Sequence, residues 1–174
     1  MINYISRWKY LGAALHILNC HHLRGQIKFV KDSIITRPEE SVKRKWANFN
    51  FLGIDLSLTG ISCLDIEGTK NSVPEFKERL KSCGIDLSDL FYENSLNNGL
   101  HIYFRKKPNA SKKNYKGNKV GNVLFDILNT GRAFTSPSYF GEKKYQWGDM
   151  NPFTINSLED IQEVPDWINQ VFIN

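Results

Sequence analysis

Residues 52–67 read LGIDLSLTGISCLDIE, and the periodicity within this run decides the fold class. Leu52, Ile54, Leu56 and Leu58 alternate with Gly53, Asp55 and Ser57, the period of a half-buried strand. Thr59-Gly60 turns the chain, and Ile61 to Glu67 reads as a second strand. In that strand Ser62, Leu64 and Ile66 point one way, while Ile61, Cys63, Asp65 and Glu67 point the other. Two carboxylates therefore share one face of a mostly apolar strand.

Downstream, Ser72-Val73-Pro74-Glu75 matches a capping box with proline in the first helical turn. Val73, Phe76, Leu80 and Cys83 recur at helical spacing, Gly84 stands where a C-terminal cap belongs, and Glu75 can pair with Arg79. Asn97-Asn98-Gly99 is a turn that leads into a strand over 100–105, in which His101, Tyr103 and Arg105 share a face. A further strand from Asn122 to Leu128 carries Asp126 between Phe125 and Ile127, and Gly131 turns the chain into Arg132 to Pro137. Ser157-Leu158-Glu159-Asp160 starts a short helix that Pro165 interrupts, after which Trp167, Ile168, Val171 and Phe172 pack a last amphipathic turn.

Upstream, the first ten residues form a short amphipathic helix with Tyr4, Trp8 and Leu11 at helical spacing. Ala13 to Leu18 fits a continued helix or a buried strand equally well. Cys20-His21-His22 reads as a polar loop, and Pro38-Glu39-Glu40 opens a short helix within a polar, basic stretch. The order implies an α+β fold, a mixed sheet with helices packed mainly on one face.

The 174 residues fit one domain, enough to bury roughly 70% of the surface that the unfolded chain exposes. No apolar run approaches a bilayer span and no signal-peptide pattern opens the chain, so the expectation is a soluble, cytoplasmic protein without a membrane partner. Cys20, Cys63 and Cys83 form neither a disulfide framework nor a zinc signature. The net charge of +5 is unevenly spread. From His101 to Lys119 lie seven basic residues, Arg105, Lys106, Lys107, Lys112, Lys113, Lys116 and Lys119, and no acidic one. From Asp149 onward there are five acidic residues and no Lys or Arg. With Tyr103, Phe104 and Tyr115 interleaved, the basic run fits a surface for a nucleic-acid strand.

Carboxylates at i and i+2 repel one another, and a divalent cation turns that liability into a ligand set. Burying an unpaired carboxylate costs several kcal/mol, so Asp126 between two apolar neighbours requires a cation or a donor.

At these residues the chain resembles the prim-pol domains of the archaeo-eukaryotic primase superfamily. The resemblance rests on Leu64-Asp65-Ile66-Glu67, on Ser95 to Phe104 with its turn and histidine, and on Phe125-Asp126-Ile127. Thr135-Ser136-Pro137-Ser138, Tyr145-Gln146-Trp147 and Val164-Pro165-Asp166-Trp167 resemble the family's closing segments, so the match spans residues 52–167 of a single catalytic domain, 1–174. Two features depart from the pattern. Asn97, Asn98 and Gly99 replace a serine and two glycines, and no lysine–proline segment is evident before Trp46.

The resemblance implies a primase-like palm that carries out template-dependent nucleotidyl transfer as a DNA primase, a DNA polymerase or both. Asp65, Glu67 and Asp126 would hold two Mg²⁺ or Mn²⁺ ions, which activate the attacking hydroxyl and neutralise the triphosphate. His101 would bind the phosphates of the incoming nucleotide, joined by Arg105 or Arg132, with Asn97 and Ser136 as further nucleotide contacts. Lys106, Lys107, Lys112, Lys113, Lys116 and Lys119 would bind the phosphates of a single-stranded DNA template or primer. No phosphate-binding loop for ATP hydrolysis is present, so a replicative helicase partner would lie on another domain or chain.

Two other readings fit parts of the sequence. A non-catalytic single-strand-binding module accounts for the basic run but leaves the carboxylates without a role. A rolling-circle nuclease needs two histidines on one strand face, and the adjacent His21 and His22 face opposite ways on a strand.

Overall fold

Ile61, Cys63 and Tyr103 pack with Leu15, Ile17, Leu52, Ile54 and Ala133 in one core, and this contact joins the two main sheets of the protein. The computed structural model describes residues 2–18, 20–23, 26–29, 34–36, 50–107, 112–166 and 168; residue 2 and the segments 20–23, 26–29 and 34–36 are described as backbone alone. Helix α1 spans Ile2–Tyr10, and strands β1 to β4 span Leu15–Leu18, Cys20–Leu23, Gln26–Phe29 and Ile34–Thr36. Next come β5 (Phe51–Asp55), α2 (Leu56–Thr59), β6 (Ile61–Ile66), α3 (Ser72–Ser82), β7 (Tyr92–Asn94) and β8 (Leu100–Arg105). The rest is β9 (Tyr115–Val120), β10 (Val123–Leu128), β11 (Arg132–Thr135), β12 (Tyr139–Phe140), β13 (Lys143–Lys144) and β14 (Gln146–Trp147).

The fold is α+β. A six-stranded sheet runs in the order β14-β7-β8-β6-β10-β9, and a four-stranded sheet in the order β11-β5-β1-β4. The sequence implied a mixed sheet; instead every strand pairing in both sheets is antiparallel. Leu64, Ile66, Leu100, Ile102, Val123 and Phe125 face Phe76 and Leu80 of α3 in a second core. The opposite face meets the four-stranded sheet, with Trp8 and Leu11 of the N-terminal segment in that same core. Helices therefore do not gather on one face, because the second face is closed largely by another sheet.

Several elements depart from their sequence periodicity. The first strand ends at Asp55, whose carboxylate accepts from the Leu58 amide at 2.9 Å and caps α2; Gly60 closes that helix at φ +74. Residues 51–54 are all buried because both faces of β5 are covered. Ser72 does not cap α3: its hydroxyl lies 3.0 Å from the Leu124 amide, a pin between helix and β10. Gly84 does follow the helix in a left-handed conformation, φ +73, and Glu75 does bind Arg79.

Cys20 to His22, expected as a loop, belong to β2, which pairs with β3. Ala13 to Leu18 resolves as strand. Pro38 to Glu40 and the segment around Trp167, Val171 and Phe172 lie outside the described residues. Among the described residues no helix is long and apolar enough to cross a membrane.

Candidate active site

In an antiparallel pair, residues directly opposite one another stand on the same face. Asp126 of β10 is opposite Asp65 of β6, Asp65 is opposite His101 of β8, and His101 is opposite Glu93 of β7. Four ionisable residues thus form one row across four strands. Neighbouring strands are about 4.8 Å apart, so the two aspartates come within reach of a common ligand. The row lies on the face that carries Cys63 and Tyr103, the face that packs on the four-stranded sheet.

Burial is graded along the row. Glu93 is fully buried, His101 is 5% exposed, and Asp65 and Asp126 are half-buried. The buried end is built from donors. Glu93 accepts from the Tyr103 hydroxyl at 2.5 Å and from the Ser136 amide at 2.8 Å. Burial still raises its pKa, against the charge of His101 and these two hydrogen bonds.

His101 Nδ1 lies 2.9 Å from the Phe134 carbonyl of β11, which can only accept, so Nδ1 carries the proton. Nε2 lies 3.4 Å from Asp65 Oδ1. Burial opposes a charged ring, but the hydrogen bond and charge of Asp65, the charge of Glu93 and the Phe134 carbonyl outweigh it and raise the pKa. These partners favour the charged ring relative to a free imidazole and hold it between the two sheets.

Glu67 stands one residue past β6, exposed, and its amide donates to the Leu124 carbonyl at 2.9 Å. Partial desolvation, then the charges of Asp65 and Asp126, raise its pKa, while His101 opposes the shift. Asp126 meets the requirement for a donor: its Oδ1 accepts from the Gly117 amide of β9 at 2.7 Å. That amide is aimed by an irregularity in the ladder, where β9 shifts register between Phe125 and Ile127 and Gly117 adopts φ +67. Asp65 and Asp126 repel one another and turn to separate donors. As the side chains stand, no group of three His, Cys, Asp or Glu among the described residues is gathered as a metal cluster.

A cavity of about 180 Å³ opens beside Asp65 and Glu67, walled by His101, Ser95, Asn97, Phe51, Phe134 and Tyr145. The turn that forms its rim depends on close backbone approach. A Cβ on Gly68 would stand 1.8 Å from the Asn97 carbonyl oxygen, and one on Gly99 would stand 2.3 Å from that of Ile66. Asn98 takes φ 61 there.

The other sequence candidates separate. Asn97 reaches the cavity rim, where its Oδ1 accepts from Lys143 at 3.3 Å. Ser136 lies behind the site, its amide on Glu93. Arg132 opens β11 opposite Asp55, and its guanidinium lies 5.7 Å from the Phe134 ring centre. Arg105 sits at the far end of β8, four residues or about 13 Å from His101, and pairs with Glu159 and Glu163.

Lys106 is partly buried, its ammonium on the carbonyls of Leu56 at 2.7 Å and Asn129 at 2.5 Å, which suits a structural tie better than a strand contact. Lys107 approaches Asp166 at 3.5 Å. Lys112, Lys113, Lys116 and Lys119 are exposed, the last two on β9 beside Asp126. Lys119 is opposite Leu124, two residues before Asp126 and on its face.

Sequence reasoning missed Glu93 and the fixing role of Tyr103. A three-residue strand has no legible period, although the alternation in β8 did put Tyr103 on the His101 face. No protein-family model matches the chain, and a comparison with curated proteins finds no match.

Proposed function

We propose that the chain is a template-dependent nucleotidyltransferase, a DNA primase or polymerase built on a primase-like palm. The observation that supports this reading is the register: Asp126 stands opposite Asp65, and Asp65 opposite His101, beside the cavity that Asp65, Glu67 and His101 line. Asp65, Glu67 and Asp126 would hold Mg²⁺ or Mn²⁺, since all three offer the carboxylate oxygens that these hard ions prefer. When bound, such ions supply Lewis-acid stabilisation of a triphosphate and activation of an attacking hydroxyl.

The chain's own residues do the rest. His101 is held by the Phe134 carbonyl through Nδ1, and when protonated it would offer Nε2–H to a nucleotide phosphate in place of Asp65. Asn97, at the rim, is placed to hydrogen-bond the same nucleotide. Lys116 and Lys119 lie on the edge strand next to Asp126, where they would bind the phosphates of template or primer without reading sequence.

A template-directed primer synthesis assay with Mg²⁺ and Mn²⁺, supplied with deoxy- or ribonucleotides, tests the reading. Product formation that is lost in Asp65→Ala while DNA binding persists supports it. A second reading, a non-catalytic single-strand-binding module, is favoured by the exposed Tyr115 with Lys113 5.9 Å from its ring centre on the same edge. Tight strand binding without incorporation under any metal would decide for that module.

A further inference from the structure

A second cavity, of about 610 Å³, shares Tyr145 as a wall with the cavity of the carboxylate site. Its ring centre is 5.4 Å from that of His101, so the two spaces are one side chain apart. Of the exposed large hydrophobic side chains among the described residues, two line this cavity, Tyr139 and Phe153, each 49% exposed. Strands β12 and β13 set Tyr139 opposite Lys144, so an aromatic ring and a cation stand on one face of a small hairpin. Lys143, the next residue, reaches Asn97 at the rim of the carboxylate site. Among the described residues no acidic one lines the cavity.

We propose that this cavity seats an unpaired base of a single-stranded nucleic acid on its way to the carboxylate site. An aromatic face stacks on any base, and an adjacent ammonium holds the phosphate beside it, so the pairing of Tyr139 with Lys144 suits a strand bound without sequence preference. The hairpin reaches both cavities, with Tyr139 and Lys144 lining the larger and Lys143 on Asn97 at the rim of the smaller. In the six-stranded sheet the cavity adjoins the β14 edge, through Gln146 and Trp147, whereas the lysines of β9 form the other edge. The row of carboxylates runs between these two flanks. The direction of the strand rests on the polymerase reading, but the binding site itself does not.

The test is binding of a fluorescein-labelled oligothymidylate in metal-free buffer, followed by anisotropy across a salt series. Tyr139→Ala is expected to weaken binding about tenfold at every salt concentration, the loss of one stacked base. Tyr139→Phe, which keeps the ring, is expected to bind as the wild type does. Lys144→Ala is expected to reduce the slope of log K against log salt by about one. A wild-type chain that binds the oligonucleotide but incorporates no nucleotide would count against the polymerase reading and leave this one standing. Phe153→Leu provides a second variant within the cavity, and matching thermal unfolding confirms that each variant is folded. Unchanged binding by both Tyr139→Ala and Phe153→Leu overturns the proposal. So does a wild-type chain that binds no oligonucleotide, or one whose cavity takes only an aromatic peptide.

Discussion

His101 is buried between two sheets, yet Asp65, Glu93 and the Phe134 carbonyl converge on it and raise its pKa. A basic group whose pKa is raised on folding stabilises the protein fully below its unfolded value of 6.5, and that stabilisation is lost as pH rises through the folded value. Urea unfolding of the metal-free chain should therefore show stability falling as pH rises above about 6.5, and His101→Gln should remove that part of the slope. An unchanged slope in the variant would place the titration elsewhere. Lys106 illustrates the opposite lesson at this scale. In sequence it belongs to the basic run, but its ammonium binds two carbonyls and its pKa is lowered by burial. Lys106→Met is expected to cost about 1–3 kcal/mol in chemical denaturation and to leave the salt dependence of DNA binding intact. Lys119→Ala should do the reverse, lowering the salt slope by about one with stability unchanged.

Among the elements, the strands that carry the site were the most legible. Strand β8 follows its alternation from Leu100 to Arg105, and α3 ends at the glycine that marks it. Legibility fails where a strand is exposed on both faces or too short to show a period. Strand β9 reads Tyr-Lys-Gly-Asn-Lys-Val, without apolar alternation, because it is a solvated edge. Strand β7 has three residues and hides Glu93. The capping box at Ser72 does not form because a tertiary partner, the Leu124 amide, takes the hydroxyl. On β9 the ladder irregularity turns the Gly117 amide toward Asp126. Nothing lies within 4 Å of a Cβ built on Gly117, so Gly117→Ala meets only the cost of its positive φ, about 1–2 kcal/mol. A loss of that size by chemical denaturation, with weaker nucleotide incorporation, is the expected outcome. A stable variant with full incorporation would show that the bulge does not position Asp126.

At the scale of the whole molecule, the antiparallel pairing of β10, β6 and β8 converts three separate sequence segments into one row. The strand faces of Asp65 and His101 could be read from alternation, but their alignment with Asp126 could not, because register depends on pairings made across the sheet. The charge asymmetry was also legible in part. The lysines of β9 do flank the row, whereas Arg105 is drawn off by Glu159 and Glu163 from the acidic C-terminal stretch. If Asp65 and Asp126 act as one unit, removing either should abolish what both provide. The direct measurement is metal-dependent nucleotide incorporation by Asp65→Ala, Asp126→Ala and the double variant, beside the wild type. Each single variant is predicted to lose about as much activity as the double, roughly two orders of magnitude or more. Losses that multiply independently, or wild-type activity in Asp126→Ala, would contradict a shared site across the two strands.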